Sequence, residues 1–296
     1  MGRSTRRPTV LEAWKETERR FIKARLHYGH GTHNARDEAA WLVCHVLRLA
    51  FDDLALNLDR PLTEAQEVRL GKIAGERIAT RAPLAYLIRE AWLGDHRFYV
   101  DRRVIVPRSF IAELLPGGLA PWLGRRSPAA ILDMCTGSGC LAILAALAFP
   151  KSEVDAVDIS PAALAVARRN VVDYRLGTRV RLVHSDLFGA LSGRRYDLIL
   201  SNPPYVKAAS MRRLPDEYRH EPERALAGGS DGLDLVRQIV AHAADHLSPS
   251  GILVLEIGHN RAAMERAYPR LPLVWLETSA GDEYVCLLRG KDLPRP

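Results

Sequence analysis

Ile131-Leu132-Asp133-Met134-Cys135-Thr136-Gly137-Ser138-Gly139 reads as a short apolar strand that runs into a glycine turn, and Cys140 to Phe149 follows as an apolar run of helical length. Strand, tight turn and helix in that order open an α/β unit. In an open α/β sheet, ligands bind beyond the carboxyl ends of the strands, at the point where the strand order reverses. Gly137 and Gly139 let backbone approach a ligand with no Cβ in the way, and the helix beginning near Cys140 turns its positive end toward an anion.

Downstream, β-branched or Leu-rich runs alternate with helical stretches. Strands are expected near 129–135, 153–159, 179–185, 196–201, 251–257, 271–278 and 283–289, with helices at 140–149, 161–175, 232–247 and 261–267. Only Ala280-Gly281-Asp282 separates the last two strands, too little for a crossover helix, so they should be antiparallel. A mostly parallel seven-stranded sheet ending in one antiparallel hairpin resembles the Rossmann-like class I methyltransferases.

Upstream the pattern changes. From Thr9 to Arg81 it is helical, with Leu11, Trp14, Phe21 and Ile22 on one helix and Ala39, Leu42, Val43, Val46 and Leu47 on the next. A third helix begins at Thr63, with Gln66 completing a capping box. Residues 91–106 alternate by two, with Phe98, Val100, Val104 and Val106 about Asp101-Arg102-Arg103, which predicts a hairpin before Pro107. The expected organisation is a small helical domain over 1–88, a hairpin linker over 89–110 and an α/β domain over 111–296.

Composition fits this plan. The 296 residues are 47% hydrophobic and 26% charged, a soluble globular balance. The longest apolar run, Cys140 to Phe149, is half of the ~20 residues that a membrane helix needs. The Arg-rich N-terminus carries Glu12, Glu16 and Glu18 and has no apolar core after it, unlike a leader peptide, so a cytoplasmic protein is expected. Cys44, Cys135, Cys140 and Cys286 lack metal-site spacing and read as reduced packing residues. His27, His30 and His33 are spaced by three, but Gly29 and Gly31 break the helix that would align them, so no metal is expected. Net charge is +7, of which residues 1–30 supply five, so the basic surplus is local and suits an RNA-rich or acidic partner as well as it suits a solvated helix face.

The candidate site residues lie at strand ends. Asp133 follows the first strand, Asp158 the second and Asp186 the third, while Asn202-Pro203-Pro204-Tyr205 follows the fourth. S-adenosylmethionine suits this set. Its carboxylate favours the glycine turn and helix end, its ammonium Asp133 and its ribose hydroxyls Asp158, with Asp186 and the adjoining Leu187 or Phe188 at the adenine. The spacing from the glycines to Asp158 also suits NAD. Singly, each acid can be a cap or turn residue. The expected cofactor shell is Asp133, Cys135, Thr136, Gly137, Gly139, Asp158, Ile159, Asp186, Leu187 and Asn202.

The tetrad suggests methyl transfer to a planar nitrogen. An amide or aniline-type NH2 shares its lone pair with a π-system and is a poor nucleophile until two acceptors localise that pair. The Asn202 side-chain oxygen and the Pro203 carbonyl can each accept one N–H, and Tyr205 can cover the flat face. Asn-Pro and Pro-Pro are also ordinary turn dipeptides, so the tetrad takes its meaning from its place in the fold.

Together these residues resemble the HemK/Prm protein glutamine methyltransferases, in the PrmB-type branch that modifies a glutamine of the third large-subunit ribosomal protein. Beyond the glycine loop and the tetrad, the likeness includes Tyr28-Gly29-His30-Gly31-Thr32, Pro83-Leu84-Ala85-Tyr86-Leu87, Val106-Pro107-Arg108-Ser109, Glu221-Pro222, Gly228-Gly229-Ser230-Asp231-Gly232-Leu233 and Leu255-Glu256-Ile257-Gly258. The release-factor branch tends to have Pro-Arg-Pro-Glu-Thr after the linker and no flanking cysteines, whereas here Pro-Arg-Ser and Cys135 to Cys140 stand in those places. Phe110 departs from the branch, which often has proline there. The resemblance implies an S-adenosylmethionine-dependent enzyme whose helical domain positions the protein substrate, with Asn202 and Pro203 on the amide NH2 and Pro204-Tyr205 completing the slot. Arg108 and Glu113 are expected to form a surface pair near the domain junction, with a direct catalytic role as the alternative. The rival readings are a release-factor methyltransferase, a nucleic-acid adenine methyltransferase, which meets the same planar NH2, and a noncatalytic assembly factor on the same fold.

Overall fold

Thr9 and Thr63 start helices in the same way. Each hydroxyl accepts the N–H three residues on, and the side chain at that position, Glu12 or Gln66, reaches back to the threonine N–H. The structure is a computed structural model describing residues 6–117, 119–124 and 127–294. Its chain forms two units, one of residues 1–90 with 215–220 and one of 91–214 with 221–296. Residues 1–5 of the basic N-terminal segment lie outside the described residues.

The helical unit contains α1 (Val10–Lys23), α2 (Ala35–Leu47), α3 (Glu64–Thr80) and α4 (Leu84–Ile88). The expected apolar positions of α2 are all buried. On α1 the buried face is Val10, Ala13, Thr17 and Phe21, whereas Ile22 is 60% exposed. That face follows a strict three-to-four spacing, which Ile22, adjacent to Phe21, cannot share. Arg77 of α3 is fully buried. It donates to Glu38 (2.8 Å) and to the His27 carbonyl (2.9 Å), and lies 3.6 Å from Glu217. Glu217 also accepts the His27 N–H (2.9 Å) and pairs with Arg81 (2.8 Å), so the segment 215–220 belongs to this unit by a buried ion-pair network.

The second unit opens with a small hairpin, β1 (Ala91–Leu93) against β2 (His96–Phe98). The hairpin expected about Asp101-Arg102-Arg103 is therefore one turn earlier. Asp101 does sit at a turn, where its carboxylate accepts the Arg103 N–H and guanidinium, but no ladder flanks it. Phe98 ends β2 opposite Ala91, while Val100, Val104 and Val106 are buried as core residues outside any paired strand. The period of two registered burial on one side, which an extended segment shares with a strand.

Next come α5 (Ile111–Leu114), α6 (Ala120–Leu123), β3 (Ala130–Met134), α7 (Cys140–Ala148), β4 (Glu153–Asp158), α8 (Pro161–Asp173), β5 (Val180–His184), β6 (Tyr196–Ser201), α9 (Ala208–Met211), α10 (Asp234–His246), β7 (Leu247–Glu256), α11 (Arg261–Ala267), β8 (Val274–Thr278) and β9 (Gly281–Arg289). Seven of these strands form one sheet in the order β5-β4-β3-β6-β7-β9-β8. The first five are parallel, and β9 runs antiparallel to both β7 and β8; the β8–β9 connection is only Ser279-Ala280, shorter than the expected Ala280-Gly281-Asp282 and likewise too short for a crossover. Along the strands, alternate residues enter opposite cores. Ile131, Leu198, Leu200 and Val254 pack on one face, and Leu132, Met134, Ile199 and Leu253 on the other. Strand order reverses at β3, so the crevice lies between β4 and β6, where the glycine turn emerges. No helix among the described residues is long and apolar enough to cross a membrane.

Candidate active site

Asp133, near the end of β3, is 1% exposed, and its Oδ2 accepts the Thr136 hydroxyl (2.5 Å) and the Ala142 N–H (2.9 Å). Its Oδ1 is buried with no hydrogen-bond partner. Burial pushes this carboxyl up to about 7, against the pull of those two donors. A half-satisfied buried carboxylate is costly unless a donor arrives, and an ammonium group meets that need in both charge and hydrogen bonding.

The turn after Asp133 is held from the next strand. Thr136 N–H donates to the Val157 carbonyl (2.9 Å) and Gly137 N–H to Asp158 Oδ2 (2.9 Å). Gly137 has φ +56, and a Cβ there would meet nothing within 4 Å, so the space above the turn is open. Gly139, at φ +80, also packs closely on the next helix, since a Cβ there would come within 3.1 Å of Ala167 Cβ. Asp158 Oδ1 accepts the Ser160 N–H (2.8 Å), and each Asp158 oxygen retains acceptor capacity for a hydroxyl. Burial raises the Asp158 carboxyl, partly offset by its two backbone donors. Ile159, beside it, is 41% exposed.

Cys135 follows β3 in left-handed backbone at φ +63. Burial raises its thiol, and the charges of Asp158, Asp133 and Asp186 raise it further. Ser201, which closes β6, donates to the Met134 carbonyl (2.9 Å). Asp186 itself is exposed, and Leu187 is half-buried at φ +43, packed against the core face that holds Leu132, Met134 and Ile199. Cys44, Cys140 and Cys286 are free and buried in packing.

The tetrad leaves β6 directly after Ser201. Pro203 and Pro204 are buried, and among the described residues none hydrogen-bonds to the Asn202 side chain. Tyr205 is held throughout. Its carbonyl accepts from Asn260 Nδ2 (2.9 Å), its hydroxyl donates to Glu256 Oε1 (3.2 Å), and burial raises its phenol well above the ordinary range. The structure thus gives the tetrad one open polar side chain followed by one fixed aromatic ring.

Arg108 and Glu113 are not a pair. Arg108 makes a two-pronged contact with buried Glu221 (2.7 and 2.8 Å), which also accepts the Val106 N–H (2.9 Å), while Glu113 accepts the Ser279 N–H and hydroxyl (2.8 and 2.6 Å). Proximity in sequence suggested the pairing, but each side chain finds its partner more than a hundred residues away. Glu256 and Asn260 were also missed as neighbours of the tetrad. A usable signal existed for Glu256, a carboxylate inside the apolar run Ile252 to Ile257.

The Methyltransferase small domain family matches residues 119–216, and the PrmC N-terminal domain family matches residues 13–88. The ribosomal protein uL3 glutamine methyltransferase of Neisseria meningitidis serogroup A (strain Z2491) is 52% identical over 286 residues, covering 96% of this chain and 94% of its own. That of Bordetella pertussis (strain Tohama I) is 54% identical over 277 residues, covering 93% and 92%. The hMettl16 catalytic domain, solved in complex with MAT2A 3′UTR hairpin 6, is alike in fold at 14% identity, with a TM-score of 0.52 over 79% of this chain and 85% of that one. The glycine loop, the acids at successive strand ends, the tetrad and relatives above half identity across nearly the whole chain lead to one conclusion, that this chain belongs to the ribosomal protein uL3 glutamine methyltransferases.

Proposed function

We propose that the protein methylates a glutamine side-chain amide of ribosomal protein uL3, using S-adenosylmethionine. The observation that carries the reading is the open Asn202 side chain at the end of β6, next to the strand whose Asp133 keeps an unfilled acceptor. When bound, S-adenosylmethionine supplies an electrophilic methyl group. Asp133 would hold its ammonium, the Cys135-Thr136-Gly137 turn and Gly139 its carboxylate end, and Asp158 its ribose hydroxyls, with Ile159, Asp186 and Leu187 at the adenine.

The chain's own work is on the amide. The Asn202 oxygen and the Pro203 carbonyl accept its two N–H groups and localise the nitrogen lone pair, Pro204 fixes the turn, and Tyr205 covers the flat face. Holding the nitrogen in line makes a bimolecular step nearly unimolecular, a large share of the effect. A strong base is unnecessary, because the nitrogen becomes acidic on methylation and releases its proton to water.

The helical unit is read as the substrate-recognition domain. Its basic N-terminal segment is assigned a contact with RNA or a ribosome precursor, although Arg6, Arg7 and Arg19 already pair with Glu12, Glu64 and Glu16. Such surface pairs are weak and leave the local field largely intact. The reaction is placed in the cytoplasm with its substrate. A transfer assay with labelled S-adenosylmethionine, offered uL3, a release factor and adenine-containing nucleic acid separately, tests the reading. Methylglutamine in uL3 alone is expected, and label in the release factor or nucleic acid overturns the substrate.

A further inference from the structure

Glu256 closes β7 and is 1% exposed, in a run of apolar neighbours where a carboxylate is expensive to bury. Both of its oxygens are used. Oε2 accepts the Ser109 hydroxyl (2.6 Å) and the Phe110 N–H (2.9 Å), and Oε1 accepts the Tyr205 hydroxyl (3.2 Å). Two residues on, Gly258 at φ +54 lies under the same ring, where a Cβ would come within 2.5 Å of Tyr205 Cε2 and 2.8 Å of Cδ2. Asn260 holds the Tyr205 carbonyl (2.9 Å), and Gly228 lies so close beneath that a Cβ would sit 2.6 Å from Tyr205 Cα. The backbone, face and hydroxyl of one tetrad residue are therefore each fixed by a separate group, two of them from Leu255-Glu256-Ile257-Gly258.

We propose that Glu256 is a positioning residue for methyl transfer: by accepting the Tyr205 hydroxyl, with Gly258 beneath the ring, it sets the angle of the aromatic wall against which the amide must lie flat. This rests on the reading of Tyr205 as that wall. A strand end that only needed packing would take an apolar residue here. A carboxylate is the side chain that can receive the linker donors on one oxygen and the phenol on the other. The ring angle matters because a small misplacement of the amide costs far more in rate than in affinity.

The test is a double-mutant cycle of Glu256→Ala and Tyr205→Phe, read in kcat, in KM for the protein substrate and in cofactor affinity. Glu256→Ala is expected to lower kcat about 10- to 100-fold with cofactor binding unchanged, and to add less than about threefold once Tyr205 is already Phe. Additive losses, or a loss that appears only in KM, overturn the proposal. If Glu256 only fastened the linker, Ser109→Ala would reproduce its kcat effect, and that result also overturns it. Glu256→Gln serves where the alanine variant folds poorly, since it keeps size and one acceptor. A readout independent of the substrate is 3-fluorotyrosine at position 205, followed by fluorine NMR. One ring environment is expected in the parent protein and a second, averaging with it, in Glu256→Gln. An unchanged spectrum in the variant overturns the proposal even if uL3 proves not to be the substrate, whereas a changed spectrum with no label in uL3 overturns only the functional reading.

Discussion

Asp133 and Glu256 stand near the carboxyl ends of two strands of one sheet, equally buried and both raised by that burial, yet they are completed differently. Glu256 has a protein donor on each oxygen, whereas Asp133 has two on Oδ2 and none on Oδ1. A buried carboxylate that is filled belongs to the scaffold. One that is half filled beside an open glycine turn, as Asp133 is, suits a ligand donor, because an empty acceptor costs stability that a bound donor returns; Glu217 Oε2, also unfilled, is instead enclosed by the cations of its own network.

Asn202 breaks the comparison most sharply, being a neutral side chain that is also open. Asn202→Ala should lower turnover about 10²- to 10³-fold while isothermal titration finds cofactor binding intact, by analogy with loss of one preorganised polar contact. Near-normal turnover would remove Asn202 from the chemistry. Asp133→Asn should do the reverse and weaken cofactor binding about 10- to 100-fold, the range of a hydrogen bond to a charged group. Affinity unchanged in that variant would mean that Oδ1 meets no cation.

The same acid predicts a pH dependence. Its folded value of about 7 lies above that of an unfolded aspartate, so the stability it contributes is present at low pH and is lost as pH rises through about 7. A cationic ligand needs the ionised form. Cofactor affinity should therefore climb with pH, by up to about tenfold per unit below 7, and level off above it. Asp133→Asn should flatten that profile, and titrations from pH 5.5 to 8.5 decide it. A Glu256→Gln variant should leave the slope alone, since Glu256 has no ligand to meet.

Smaller effects sharpen the scaffold side. Gly258→Ala should reduce turnover about tenfold by displacing the Tyr205 ring, with cofactor affinity kept. Glu113→Ala is expected to cost less than about 1 kcal/mol in thermal or denaturant unfolding and to leave kcat unchanged, because its partners Ser279 N–H and hydroxyl are exposed. A large loss of turnover there would return Glu113 to the site.

What could be read from the chain beforehand was whatever depends on neighbours in sequence. The glycine turn, the Thr63 capping box and the short final connection declare themselves within a few residues, and each took the form its local chemistry demands. Partners of buried charges do not. Nothing near Arg108 points to Glu221, and nothing near Tyr205 points to Glu256, since those pairings exist only once distant strands are side by side. The alternation over 98–106 failed for a related reason. It records which side of an extended segment is buried and says nothing of whether another strand lies beside it.

The buried network around Glu217 carries a consequence for how this molecule can be divided or inherited. Residues 215–220 follow the tetrad in sequence, but their carboxylate is sealed among Arg77, Arg81 and the His27 N–H of the amino-terminal helices. A gene fragment beginning after Glu90 would strand Glu217 without its cations, and one ending at Glu90 would strand Arg77 with only one of its two acids. A recombined chain keeps this network only where the helices it receives carry cations and an acid in the places of Arg77, Arg81 and Glu38 and the six-residue segment carries the acid in the place of Glu217.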